Sequence, residues 1–291
     1  MAVEHPDRFM KSGIVCVLFI LLSFGSFGVQ AGLQDVPPGG TVFIGEEQLD
    51  ISASGIGAGS QIAWWAPGTS VEDVPADLVT ISNPSSFSAL SSSFSGREGI
   101  WYSLSDKTPV LKIKEPRVHL RVYDTSHGFE ATDKWIPRGD LVSFQIETNL
   151  HEIGNRGDGA GAPFDIIIRS PTGSEYSAVS GPSGSFSLTG IPIRSSSYDS
   201  GPVWYTGDAD IGTYEVRVEC TANRINDNNA YPGAAVSQAV SVLIQGTNPL
   251  ISGRPDGTES DENKPAAPVT STNTPSPSPS PVLTALPTMT Q

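Results

Sequence analysis

From Tyr214 to Cys220 the chain alternates without a break, with Tyr214, Val216, Val218 and Cys220 on one side and Glu215, Arg217 and Glu219 on the other. A period of two assigns each set to its own face of a strand, one face to be buried and one to be solvated. The same period recurs at Val118, Leu120 and Val122, at Val142, Phe144 and Ile146, and at Phe164, Ile166 and Ile168. It returns at Phe186 and Leu188 and again at Val240, Val242 and Ile244. Upstream, residues 41–52 predict two short strands around a turn or bulge at Glu46-Glu47, and further strands follow over 61–66, 78–82, 87–94, 99–104 and 110–114. No stretch of useful length carries the 3.6-residue period of an amphipathic helix. Short strands at near-regular spacing, divided by Gly, Pro, Ser and Asp clusters, predict an all-β chain.

Pro116 divides this series. Proline cannot donate to a ladder and holds its predecessor extended, so the chain leaves one sheet and enters another near Lys114-Glu115-Pro116 without a flexible linker. The expectation is two tandem antiparallel β-sandwich domains, over 39–114 and 116–245. In the second, Asp210-x-Gly212-x-Tyr214 resembles the tyrosine corner of immunoglobulin-like sandwiches, in which a Tyr near the start of the penultimate strand bonds back to the preceding turn. Two polar loops in this domain, 151–162 and 222–233, are longer than compact domains usually carry without a reason.

Arg8 and Lys11 precede an apolar run over 14–22, a softer Ser/Gly/Phe stretch and Val29-Gln30-Ala31. Residues 1–31 therefore read as a secretory signal peptide cleaved before Gly32. An uncleaved anchor would need about 20 consecutive apolar residues, and Ser23, Gly25, Ser26 and Gly28 interrupt the run. Cys16 lies inside it and Gly13-Ile14-Val15 makes a poor lipobox, so a lipoprotein start is not expected. Residues 252–291, rich in Pro, Ser, Thr, Asp and Glu, cannot bury enough apolar surface to fold and read as a disordered stalk open to O-glycosylation. No second apolar run follows, so no mature transmembrane span is expected. Asn83 precedes Pro84, and no permitted N-glycosylation sequon occurs.

The net charge of −14, from 17 Lys and Arg against 31 Asp and Glu, argues for solubility and against nucleic acid or anionic lipid as a partner. After signal removal Cys220 is the only cysteine, which excludes an intramolecular disulfide. Its phase with Tyr214 and Val218 predicts a buried, inert thiol.

Catalytic signatures fail one by one, and the chain is read as no enzyme, with no catalytic, cofactor-binding or metal residue assigned. No Ser sits in a nucleophile elbow. His151-Glu152 opens like a zinc-protease helix, but Asn155 stands where the second His belongs. His119, His127 and His151 with one Cys offer poor prospects for other metal sites. Gly55-x-Gly57-x-Gly59 and Gly157-x-Gly159-x-Gly161 precede no helix and are turn glycines. Arg138-Gly139-Asp140 and Arg156-Gly157-Asp158 spell an adhesion tripeptide that chance also supplies. Asp208 and Asp210, and the loop Asn226-Asp227-Asn228-Asn229, offer oxygens that calcium prefers, yet backbone-capping turns account for them as well.

Four stretches, Gly39-Gly-Thr-Val-Phe-Ile-Gly-Glu-Glu-Gln-Leu-Asp-Ile51, Trp135-Ile-Pro-Arg-Gly-Asp-Leu-Val-Ser-Phe144, Thr148-Asn-Leu-His-Glu-Ile153 and Gly212-Thr-Tyr-Glu-Val-Arg-Val-Glu-Cys-Thr-Ala-Asn223, together resemble an uncharacterised extracellular domain family of methanogenic archaea. The first is also similar to the V-F-x-G-E start of archaeal surface-layer glycoproteins. The resemblance spans about residues 39–245 and implies an exported, envelope-associated β protein; it brings no site residues. The expected function is a non-catalytic, structural or interaction role at the archaeal cell surface, with envelope proteins or glycans as partners. The alternative is a secreted binding module for glycan or peptide, using aromatics such as Trp65, Trp135 or Trp204 with calcium shaping its loops.

Overall fold

The computed structural model describes residues 32–157 and 159–246. The leader over 1–31 and the tail over 252–291 lie outside the described residues. Between Gly40 and Lys114 the alternating segments form β1 (Gly40–Phe43), β2 (Gln61–Trp64), β3 (Asp77–Thr80), β4 (Gly99–Ser103) and β5 (Pro109–Lys114). These strands make one sheet in the order β1-β5-β4-β2-β3, with β1 parallel to β5. Val42, Ile62, Trp101, Leu111 and Ile113 of the sheet share an apolar cluster with Leu49, Ile81, Phe87, Ala89 and Phe94. The cover over the sheet is thus irregular chain where a second sheet was expected. The 87–94 stretch is not a strand: Phe87 makes a single bridge to Leu49, and Ser91–Phe94 is one helical turn. Three serines in a row cannot supply an apolar face, and Phe94 instead meets Trp101 edge-on with ring centroids 4.9 Å apart.

The second region supplies β6 (Val118–Asp124), β7 (Phe129–Glu130), β8 (Lys134–Pro137), β9 (Leu141–Thr148), β10 (Ala162–Arg169), β11 (Glu175–Tyr176), β12 (Ala178–Gly181), β13 (Gly184–Ser187), β14 (Ile191–Ile193), β15 (Ser197–Asp199), β16 (Trp204–Tyr205), β17 (Gly212–Cys220) and β18 (Val240–Gln245). One sheet runs β11-β10-β17-β18-β8 with β14 beside β10, another runs β15-β9-β6-β7 with β16 beside β9, and β12 and β13 pair as a hairpin. The apolar positions of β6, β9, β10, β17 and β18 meet in one cluster. Each large apolar side chain withdrawn from water there stabilises by about 1.5–3 kcal/mol. The expectation of purely antiparallel sheets is corrected here as well, because β8 runs parallel to β18. Hydrophobic period reports which face is buried and is silent on strand direction.

The strand with the unbroken alternation, β17, is central, paired to β10 on one side and β18 on the other. Tyr214 is fully buried, and its hydroxyl donates to the Asp210 carbonyl at 3.1 Å, the bond expected from the sequence. Trp204 packs edge-on against Tyr214 at 5.3 Å. Cys220 is buried, and burial pushes its thiol up to about 12, which leaves it an unreactive core group.

The two regions belong to one compact unit. β1 is buried on both faces, since Val42 joins the first apolar cluster and Phe43 the second. Beside it the Glu46 carboxylate, fully buried, accepts from Phe43 N at 2.7 Å, from Asn223 Nδ2 at 2.9 Å and from the Arg156 guanidinium at 2.8 and 2.7 Å. Arg156 also donates to the carbonyls of Leu33 and Thr41. Asn228 and Asn229 donate to the carbonyls of Gly45 and Ile44. Gly45 sits at φ 94°, and a side chain there would run into the Asn229 amide. The two long loops therefore have a physical reason: they carry the polar groups that satisfy the turn after β1.

Candidate functional site

The turn between β6 and β7 begins with Asp124, the last residue of β6. Its side chain is fully buried, and Oδ1 accepts from the His127 N–H at 3.1 Å, an Asx turn that fixes the ring over the carboxylate. Gly128 N closes the turn on the Asp124 carbonyl at 2.8 Å. Asp140 arrives from the separate turn between β8 and β9, where Gly139 at φ 105° permits the bend. The Asp140 carbonyl is held by Thr206 N at 2.9 Å and Thr206 Oγ1 at 3.0 Å. The β6–β9 pairing, in which Asp124 opposes Val142, brings the two turns together. Thr125 N and Leu141 N lock them with bonds to Leu141 O at 2.8 Å and Ser126 Oγ at 2.9 Å.

The outcome is one imidazole between two carboxylates. His127 Nδ1 lies 3.2 Å from Asp124 Oδ2 and 2.8 Å from Asp140 Oδ2, and all three ligand atoms fall within 4.8 Å of one another. Nδ1 is aligned to bond Asp124, while Asp140 Oδ2, though nearer, is buried and makes no hydrogen bond. Burial raises the Asp140 pKa, and the Asp124 carboxylate beside it raises it further. The His127 pKa is also raised, first by its bond to Asp124 and then by the charge of Asp140. Among the described residues no Lys or Arg pairs with either carboxylate. The ring itself is 58% exposed, so the cluster opens to solvent on the His127 side.

The sequence did not assemble this cluster. It weighed His127 only among scattered histidines and Asp140 only as the end of Arg138-Gly139-Asp140. The one local signal was Asp124-x-x-His127 at a strand end, and Asp140 joins it only through the sheet register. Other candidates have structural partners. Glu152 accepts from Lys114 Nζ at 2.6 and 2.7 Å and from Thr41 Oγ1 at 3.0 Å, and His151 Nδ1 lies 3.0 Å from Thr148 O. Arg138 is exposed and donates through Nε to Gly207 O at 3.0 Å, while Arg156 is buried, which removes Arg156 from an adhesion role. Asp208 and Asp210 are exposed, and the Asp210 carbonyl serves Tyr214. Asn228 and Asn229 donate their amide N–H groups to backbone carbonyls, and Asn229 Oδ1 is buried without a hydrogen bond. Trp65 and Trp204 are buried and Trp135 is half-buried, so the aromatic platform envisaged for a sugar or peptide is not presented by the two buried rings.

A family model described as a domain of unknown function (DUF3821) matches residues 38–227, well over half of the chain. The chain belongs to this family. The DUF3821 match takes in β1 to β17, the Glu46–Arg156 pair and all three residues of the Asp124 cluster. A search of curated proteins finds no match. Among solved structures, the wild-type C-terminal domain of the Streptococcus agalactiae AgI/II polypeptide BspA aligns at 10% identity with a TM-score of 0.23, covering 50% of this chain and 56% of that one. A mutant and a second wild-type BspA structure align at the same identity and TM-score and cover 52% and 57% of those chains. The DUF3821 chain thus spans about half the length of these structures, and a likeness of this size carries no argument about fold or role.

Proposed function

We propose that this chain is an exported archaeal cell-surface protein with a non-catalytic, structural or interaction role in the envelope, its second region an immunoglobulin-like sandwich. The leader-like start, the Pro/Ser/Thr-rich tail and the motif resemblance support export. The buried Tyr214 with its bond to Asp210 supports the immunoglobulin-like reading.

The observation that carries the interaction role is the open edge of the first sheet. Among the described residues β3 pairs only with β2, leaving its other side open to accept another strand. On that edge Leu78 is 43% exposed and Val74, in the loop before β3, 89%, an apolar margin to the strand, while the Leu78 N–H bonds the Asp77 carboxylate at 2.8 Å. A strand from a neighbouring envelope protein would gain main-chain bonds along β3 and apolar contact with Leu78.

Fractionation of the native host into envelope and medium, with Leu78→Lys alongside wild type, tests this reading. The expected result is wild type in the envelope with its N-terminus at Gly32 and the variant released to the medium, with folded stability changed by no more than about 0.5 kcal/mol, as for surface positions generally. Recovery of both proteins in the medium would reject it.

A further inference from the structure

We propose that Asp124, His127 and Asp140 form a binding site for a divalent first-row transition ion of the Zn²⁺ or Mn²⁺ class. The inference is independent of export and of the β3 edge.

Three observations converge on it. Two carboxylates are withdrawn from water at one point, and the only cationic group paired with them among the described residues is a solvent-facing imidazole. Buried carboxylates are normally paired with fixed cations or bound to metals. Asp140 Oδ2 is buried 2.8 Å from His127 Nδ1 but in no aligned hydrogen bond, so a bound ion would give it the directed partner that the ring does not. The Asx turn uses Asp124 Oδ1 and leaves Oδ2 facing the ring. The spacing also fits: ligands about 2.0–2.2 Å from a tetrahedral ion stand roughly 3.3 Å apart, close to the 3.2 and 2.8 Å between Nδ1 and the two carboxylate oxygens. An ion would take the Nδ1 lone pair in place of the proton shared with Asp124, with Nε2 keeping the ring proton toward solvent.

The donor set decides the ion class. One imidazole with two carboxylates suits borderline divalent ions, whereas calcium requires six to eight oxygens. A bound ion would cross-link the β6–β7 turn to the β8–β9 turn and keep coordination positions open to water on the exposed side.

Isothermal titration of the chelator-stripped full chain with ZnCl₂ and with MnCl₂ tests the assignment. The expected result is one equivalent of ion per wild-type chain, at least a tenfold loss of affinity in both His127→Ala and Asp140→Asn, and no change in His151→Ala. His127→Ala removes an exposed ring and so reports even if Asp140→Asn fails to fold. Failure of both ions to bind, or binding that His127→Ala leaves at wild-type stoichiometry and affinity, would overturn the site. The second result would mark the ion as adventitious and held elsewhere.

Discussion

At the scale of single residues, the raised pKa values of His127 and Asp140 make the metal-free cluster sensitive to pH, and both act with the same sign. His127 binds its proton more tightly in the folded chain, first through the bond to Asp124. Its stabilisation is complete below its unfolded value of about 6.5 and fades as the pH rises through the higher folded value. Asp140 also binds its proton more tightly when folded, because burial and then Asp124 oppose its ionisation. Lower pH therefore favours the folded state at this residue too. The chelator-treated chain should lose stability in urea melts taken from about pH 6 to about pH 8, and His127→Ala should flatten that slope. An unchanged slope in the variant would place the pH dependence elsewhere. Zn²⁺ should reverse the trend, since the ion binds the deprotonated ligands and gains affinity as pH rises.

At the scale of elements, the hydroxyl of Tyr214 ties β17 to the turn before it. Tyr214→Phe keeps the ring in the core beside Trp204 and removes only the bond to Asp210 O, so the expected loss is about 0.5–1.5 kcal/mol by chemical denaturation. A loss near zero would mean that the bond contributes nothing net. This was the element most legible in the sequence, because the seven residues from Tyr214 to Cys220 carry the period clearly and the Asp-x-Gly-x-Tyr lead-in has a mechanism of its own. β6, β9, β10 and β18 were legible for the same reason. β7, β11 and β16, two residues each, are too short to show any period, and they owe their existence to neighbouring strands. β1 misled differently. Val42 and Phe43 are both buried, so the polar face expected of a half-buried strand is absent, and alternation could not reveal that a second core begins on its other side. The Asp124 cluster was legible only by half. Asp124-x-x-His127 is a local turn signal, but Asp140 is brought to it by pairing across β6 and β9, a long-range fact that no window of sequence contains.

At the scale of the whole molecule, the two apolar clusters are joined through groups that cannot be separated cheaply. Opening the junction would strip the Glu46 carboxylate of Arg156 and Asn223 and expose the second-core face of β1 at Phe43. The regions should therefore unfold together in the wild type. Removing one partner of a buried ion pair costs about 3–5 kcal/mol, because the other charge stays buried without compensation. Arg156→Met should lose about that much, and the loss should fall unevenly. The first sheet has the smaller apolar cluster and an irregular cover, so it depends more on the junction than the two-sheet region does. Native-state hydrogen exchange separates the possibilities, because amides in β4 and β17 report the opening free energy of each region. In the wild type the slowest amides of both strands should open with one common free energy. In Arg156→Met the β4 amides should open with clearly less than the β17 amides, as the first region gains an unfolding route of its own. An equal fall in both strands would show that the cores remain one cooperative unit without the pair. No fall in either would show that the Arg156 guanidinium, despite its four bonds to Glu46, Leu33 and Thr41, does not hold the two regions together.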